Sequence, residues 1–169
     1  MEKKFLILGN KNTFCCKEIF PLFRDGKIWS GVDNKNKDFL MDGELIKVNA
    51  CWITNLPNLK YKKPLELTAK YCPEKYPKFD NYPVAINVNR TKDIPADYDG
   101  IIGVPISFIL KYHPDQFEII GIGVGNAFNN YPETMKLLGF KKEIKSTGGM
   151  GTVVLNGRSV FTRIFIKKR

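Results

Sequence analysis

Apolar and polar positions follow two different rhythms along this chain, and each rhythm predicts its own kind of element. Near the N-terminus, "KFLILGN" (4–10) gathers its apolar residues into one unbroken run. Such a run predicts a strand buried on both faces, as in a parallel sheet. In "CCKEIFPLFRDGK" (15–27), Ile19, Leu22 and Phe23 recur at helical spacing, with Pro21 placed to shorten the helix and Gly26 to end it. Together with "KIWSGV" (27–32) this makes half of an α/β unit. "LIKVNACWITNL" (45–56) alternates loosely through Ile46, Val48, Ala50 and Trp52 and predicts one strand, entered from a tight turn at Asp42-Gly43.

From Pro57 to Pro83 neither rhythm holds. The segment 57–83 is irregular, basic and aromatic, with six lysines and four tyrosines against Glu66, Glu74 and Asp80. Regular patterning returns in "VAINVNR" (84–90), where Val84, Ile86 and Val88 alternate with Ala85, Asn87 and Asn89 to give a strand with one polar face. In "YDGIIGVPISF" (98–108), Ile101 to Val104 predict a short strand, and Pro105 suits the first position of a helix running to Tyr112. "FEIIGIGVG" (117–125) predicts a further buried strand, and the twelve residues between Val104 and Phe117 suffice for a parallel crossover. "PETMKLL" (132–138) predicts a short helix closed by Gly139. Last, Asn156-Gly157 joins two β-rich runs as a type I′ hairpin. On the second run Val160, Thr162, Ile164 and Ile166 face one way, and Phe161, Arg163 and Phe165 the other.

Composition narrows this picture. At 169 residues and 43% hydrophobic, the chain is expected to form a single α/β domain over 1–169 with its own core. Cys15, Cys16, Cys51 and Cys72 contain no CxxC pair, and one histidine cannot complete a zinc site, so free thiols and no metal are expected. The N-terminal apolar run stops at Asn10-Lys11-Asn12, too early for a signal peptide, and no run is long enough to span a membrane. A cytoplasmic protein is the expectation. Its formal charge of +10 draws nucleic acid or an anionic surface, although a lysine-rich solvated exterior would produce the same sum.

Candidate chemistry is thin. "GIGVGN" (121–126) has the glycine spacing of a dinucleotide loop, but "NNYP" (129–132) follows where a helix is needed, and a tight exit from a strand explains it better. "STGGMG" (146–151), flanked by Lys141, Lys142 and Lys145, is either a plain loop or a backbone approach to phosphate. His113 precedes Pro114 with no partner placed by sequence, so no catalytic residue is assigned. Trp52 is either a core residue or a ring that stacks on a base. Asn10, at the C-terminal end of the first strand, either serves a polar pocket or caps the next helix.

Four stretches carry a resemblance: "KFLILGNKNTFCCKEIFPLFRDGKIWSG", "NACWITNL", "YPKFDNYPVAINVNRTKDIPADYDGIIGVPISFILKYHPDQFEIIGI" and "NGRSVFTRIFIKKR". Together they resemble the EcoRI-type adenine-specific DNA methyltransferases over nearly all 169 residues. The resemblance implies a bacterial restriction-modification enzyme that moves a methyl group from S-adenosylmethionine to adenine N6 in duplex DNA. It implies a partial Rossmann-like methyltransferase sheet, mixed parallel and antiparallel, ending in a β-hairpin. The family's Asn/Asp-Pro-Pro-aromatic motif occurs nowhere in the sequence, and no position matches its glycine-bearing cofactor loop. The chain is therefore expected to correspond to the C-terminal half of such an enzyme, to be inactive alone, to bind no cofactor by itself, and to work with a separately encoded N-terminal half. The alternatives are a standalone DNA-binding protein and a fragment without function of its own. By resemblance, Asn10, Asn12 and Trp52 are candidates for the rim of the adenine pocket. DNA-contact candidates are Lys60, Lys62, Lys63, Asn87, Asn89, Arg90, Lys141, Lys142, Lys145 and Arg163.

Overall fold

A computed structural model describes residues 3–31, 37–57, 63–124, 131–144 and 153–169. Lys60, Lys62, Lys145 and the glycine-rich stretch 146–151 lie outside the described residues, as do Gly125 and Asn126. The chain divides into two compact units, one of Met1–Pro64 with Ile109–His113, the other of Leu65–Phe108 with Pro114–Arg169.

In the first unit, β1 (Leu6–Asn10) and β2 (Trp29–Ser30) flank β5 (Ala50–Thr54) in a three-stranded antiparallel sheet of order β1-β5-β2. Between β2 and β5 the chain forms a separate hairpin of β3 (Lys37–Met41) and β4 (Glu44–Val48) over Asp42 and Gly43, both at positive φ. Helix α1 (Phe20–Arg24) is only one turn long and holds Pro21 in its first positions, where a missing N–H removes no helical bond. Its Phe20 and Phe23 are buried, as is Phe14, and Phe23 meets Phe14 and Tyr112 edge to face at 5.0 and 5.4 Å.

Two expectations change here. β1 is not buried on both faces in a parallel sheet: it is an antiparallel edge strand, with Leu6 and Ile7 each 54% exposed. Its apolar run is unbroken, but among the described residues only β5 pairs with it, so one edge lacks a neighbour. Nor is 45–56 one strand. It breaks at Asn49 into β4 and β5, which pair with different partners, and the Asn49 carbonyl accepts from the Lys11 N–H at 3.0 Å.

In the second unit, β6 (Ala85–Asn87), β7 (Ile101–Pro105), β8 (Phe117–Gly123) and β11 (Arg163–Lys168) form a sheet of order β6-β7-β11-β8. β6 and β7 run parallel, and β11 lies antiparallel between β7 and β8, so the sheet is mixed and β7 and β8 are parallel to each other. The predicted crossover exists, with β11 inserted between its strands. The predicted helix does not form from Pro105: that residue ends β7 opposite Arg163, and Ile106–Lys111 make a 3₁₀ helix. Ile106 and Ile109 are β-branched and suit a short tight turn better than a longer α-helix.

The hairpin of β9 (Val153–Leu155) and β10 (Arg158–Val160) turns at Asn156 and Gly157, with φ of 51° and 71°, as a type I′ turn requires. The run after the turn is not one continuous strand. It stops at Val160 and resumes at Arg163 in the other sheet, so Phe161 and Thr162 belong to neither. Helix α2 (Pro132–Leu137) supplies Met135, which joins Phe79, Tyr82, Ala85, Leu138, Val153 and Phe165 in the core. Phe79 lies so close to β7 that a Cβ on Gly103 would sit 2.4 Å from its ring.

Candidate nucleic-acid interface

The polar face predicted for 84–90 is where the second unit gathers its chemistry. Asn87 ends β6 almost fully buried, and Asn89 stands two residues on with its side chain exposed. Strand alternation points both the same way, and the Asn87 Nδ2 donates to Asn89 Oδ1 at 3.1 Å. From β11 comes Arg163, 6% exposed. Its Nε donates to Asn87 Oδ1 at 3.1 Å, its Nη2 to Asn89 Oδ1 at 3.1 Å, and its Nη1 to the Phe161 carbonyl at 2.9 Å. All its acceptors are neutral, and among the described residues no carboxylate pairs with it. Burial pulls the Arg163 pKa down from its ordinary value, since the charged form loses water.

Above this floor lies a pocket of about 310 Å³ lined by Lys75, Tyr76, Asn87, Asn89, Arg90 and Asp93. Arg90 Nε donates to Asp93 Oδ2 at 2.7 Å, and this hydrogen bond holds the Asp93 carboxyl below its usual pKa, with the Arg90 charge adding to it. Lys75 places its ammonium 5.2 Å from the centre of the Tyr76 ring, and the Tyr76 hydroxyl donates to the Asp93 carbonyl at 2.9 Å. Tyr71 stacks on Tyr76 at 5.9 Å and contacts Tyr98 at 4.6 Å. Pocket and floor thus present donors and positive charge, with one carboxylate already engaged. Such a surface suits a ligand rich in acceptors or negative charge.

Of the predicted contacts, Asn87, Asn89, Arg90 and Arg163 come together here, with Arg163 turned inward beneath the others. Lys141 and Lys142 are exposed after α2, and the Lys141 N–H donates to the Asn81 carbonyl at 3.0 Å. Lys63 is exposed in the first unit. Lys75 and Phe161 were not singled out from sequence. Lys75 sits in the irregular segment, and strand alternation had assigned Phe161 to a sheet.

The three residues predicted for an adenine pocket lie in the first unit. Asn10 Oδ1 accepts from the Asn12 N–H at 2.9 Å, capping the 3₁₀ helix Lys11–Cys15. Trp52 is half-buried opposite Leu8, on the β1–β5 face that Asn10 shares by alternation. A cavity of about 330 Å³ opens on the other face, between Phe5, Ile7, Gly9, Leu22, Ile28 and Ile53. It is apolar, and none of Asn10, Asn12 and Trp52 lines it.

The second unit thus combines a mixed sheet with a C-terminal hairpin and a donor-rich pocket. The chain belongs to the family described as adenine-specific methyltransferase EcoRI, whose profile matches residues 1–169. It is 43% identical over 140 residues to the type II methyltransferase M.EcoRI of Escherichia coli, covering 70% of this chain and 43% of that protein. It is 32% identical to the type II methyltransferase M.MgeORF184P of Mycoplasma genitalium and 31% to M.MpnI of Mycoplasma pneumoniae. Those two alignments each cover 99% of this chain and 58% and 57% of the relatives. The chain therefore spans about half the length of the relatives it matches. No solved structure matches it.

Neither the glycines of β8 nor the apolar cavity of the first unit fits S-adenosylmethionine, which the family implies. Gly121 and Gly123 lie inside β8, where a Cβ would meet Thr134 and Val153 at 2.3 and 2.4 Å, so they serve packing and not a ligand loop. The apolar cavity of the first unit has no carboxylate for ribose hydroxyls. Among the described residues no group of three or more His, Cys, Asp or Glu side chains can hold a metal, and no helix is long and apolar enough to cross a membrane.

Proposed function

We propose that this chain is the DNA-contacting portion of an adenine-N6 DNA methyltransferase from a type II restriction-modification system, and that by itself it transfers no methyl group. The observation that carries the reading is a mismatch within the sequence. The family profile matches all 169 residues, yet no Asn/Asp-Pro-Pro-aromatic segment occurs among them. That motif supplies the acceptors that hold the adenine amino group. Without it, and without a place for the methyl donor, basic surface provides binding but does not lower the chemical barrier. The work would be done in the cytoplasm, on duplex DNA, with cofactor and catalytic residues contributed by the N-terminal half of the methyltransferase.

A labelled-methyl transfer assay on mixed duplex DNA, with calorimetry against S-adenosylmethionine, tests this. Both are expected to be blank for the purified chain and to recover when the complementary half is added. Methyl transfer by the isolated chain, free of host enzyme, overturns the reading. The second reading, a standalone DNA-binding protein, is favoured by the donor-rich pocket of the second unit. It predicts tight DNA binding that the complementary half leaves unchanged.

A further inference from the structure

We propose that Phe161 and the Asn89 amide form one sequence-reading contact on duplex DNA, with the ring inserted beside a base pair, the amide donating to a base-edge acceptor, and Arg163 as the positioning residue beneath both. This rests on the reading of the chain as a DNA-contacting methyltransferase portion and adds which residues discriminate sequence.

Phe161 is 90% exposed, the most exposed of the large apolar side chains in the described residues. A single exposed aliphatic residue needs no explanation. This one differs because its backbone is held. Phe161 lies where the chain leaves β10 for β11, and its carbonyl is fixed by Arg163 Nη1 at 2.9 Å. The ring therefore stands on anchored backbone, ordered at little further entropic cost on binding.

The same guanidinium orients Asn89. Two donors, Asn87 Nδ2 and Arg163 Nη2, converge on Asn89 Oδ1, each at 3.1 Å. That assigns the oxygen inward and the NH₂ group outward, where it has no partner among the described residues. One planar side chain thus holds the backbone that carries an exposed aromatic ring and sets the direction of an exposed pair of donors. Arg163 also carries a buried charge that no carboxylate among the described residues offsets, which favours electron-rich ligand atoms above it.

Acceptors and a flat π-surface occur together on nucleobases. Base edges present acceptors to an amide donor in both grooves, N7, O6 and O4 in the major and N3 and O2 in the minor. Apolar side chains inserted between base steps unstack them and kink the duplex. A phosphate would accept from Asn89 but would leave an exposed ring beside it without a role. Lys75 and Arg90, on the same pocket, are suited to hold the backbone on either side.

The test uses the purified chain and a pool of short duplexes randomised at their centre. The wild type is expected to enrich a motif, and Asn89→Ala to lose discrimination at one base pair by about tenfold or more while still binding. With 2-aminopurine placed in the enriched duplex, the wild type should raise its fluorescence by unstacking, and Phe161→Ala should abolish that rise. Asn89 and Phe161 are exposed, so these variants should fold. Arg163→Lys, checked by thermal melting, should reproduce the Asn89→Ala loss of discrimination. If the wild type binds but enriches no base, or both exposed variants keep its motif and affinity, the inference is wrong and the DNA reading stands. A loss equal across all sequences means phosphate contact, which also overturns it. No binding by the wild type at low salt removes the DNA reading itself, and this inference with it.

Discussion

Arg163 keeps 6% of its surface exposed at the start of β11, whereas Arg90, just beyond β6, has 67% of its side chain in solvent. The difference sets what each can do. Removing Arg163 strands the Oδ1 of buried Asn87, and an unsatisfied buried acceptor costs about 1–3 kcal/mol, whereas Asn89 Oδ1 keeps the Asn87 Nδ2 donor. Among the described residues Arg90 pairs with Asp93, in a surface pair of small worth, and an incoming phosphate can compete for it. Arg90→Ala is therefore expected to weaken every duplex alike and to reduce the salt slope by about one unit, without changing which sequence is preferred. Competition against scrambled duplexes checks this, and a change in preference would make Arg90 a base reader. At this scale the sequence was partly legible. Alternation along "VAINVNR" placed Asn87 and Asn89 on one face, as their mutual hydrogen bond requires. That Arg163 sits beneath them, 76 and 74 residues away, is a contact between strands that no local pattern encodes.

Among the elements, the two hairpins were the most readable because their turns depend on local chemistry alone. Asp42-Gly43 and Asn156-Gly157 both adopt positive φ, which glycine accepts freely and Asn or Asp tolerates. The second turn has an added clamp: Asp80 accepts from the N–H of Asn156 at 3.2 Å and of Gly157 at 2.7 Å. Gly157→Val places a β-branched residue at φ +71° and is expected to destabilise the protein by about 1–2 kcal/mol or more. Thermal unfolding measures it, and a midpoint equal to the parent's would show that the turn tolerates the strain. Strand limits were harder to read. The alternation from Val160 to Ile166 is unbroken, but the chain changes sheets at Phe161 and Thr162, and this break leaves the ring exposed.

For the molecule as a whole, charge sets the expectation. A net +10 with an open donor pocket should give duplex binding whose affinity falls steeply with salt, each neutralised phosphate contributing about 0.9 to the slope. Titration at two salt concentrations decides the matter. Affinity insensitive to salt would mean that the positive charge is only a solvated exterior. The first unit contributes a different feature. Its edge strand β1 leaves Leu6, Ile7 and Leu8 exposed, so an apolar run that reads as doubly covered is covered on one side at most by the described residues.

By itself the sequence determined the α/β class, the type I′ turn at Asn156-Gly157, the polar face of 84–90 and the methyltransferase family. Each rests on information local to a few residues or on resemblance along the chain. Only the tertiary structure decided that β11 lies between β7 and β8, that 45–56 splits between two sheets, and that Arg163 supports the pocket from within. Those outcomes depend on which strands, well separated along the chain, find each other. Periodicity reports whether a strand has an apolar face. It does not report which neighbour covers that face, and the neighbour determines which side chains are left exposed.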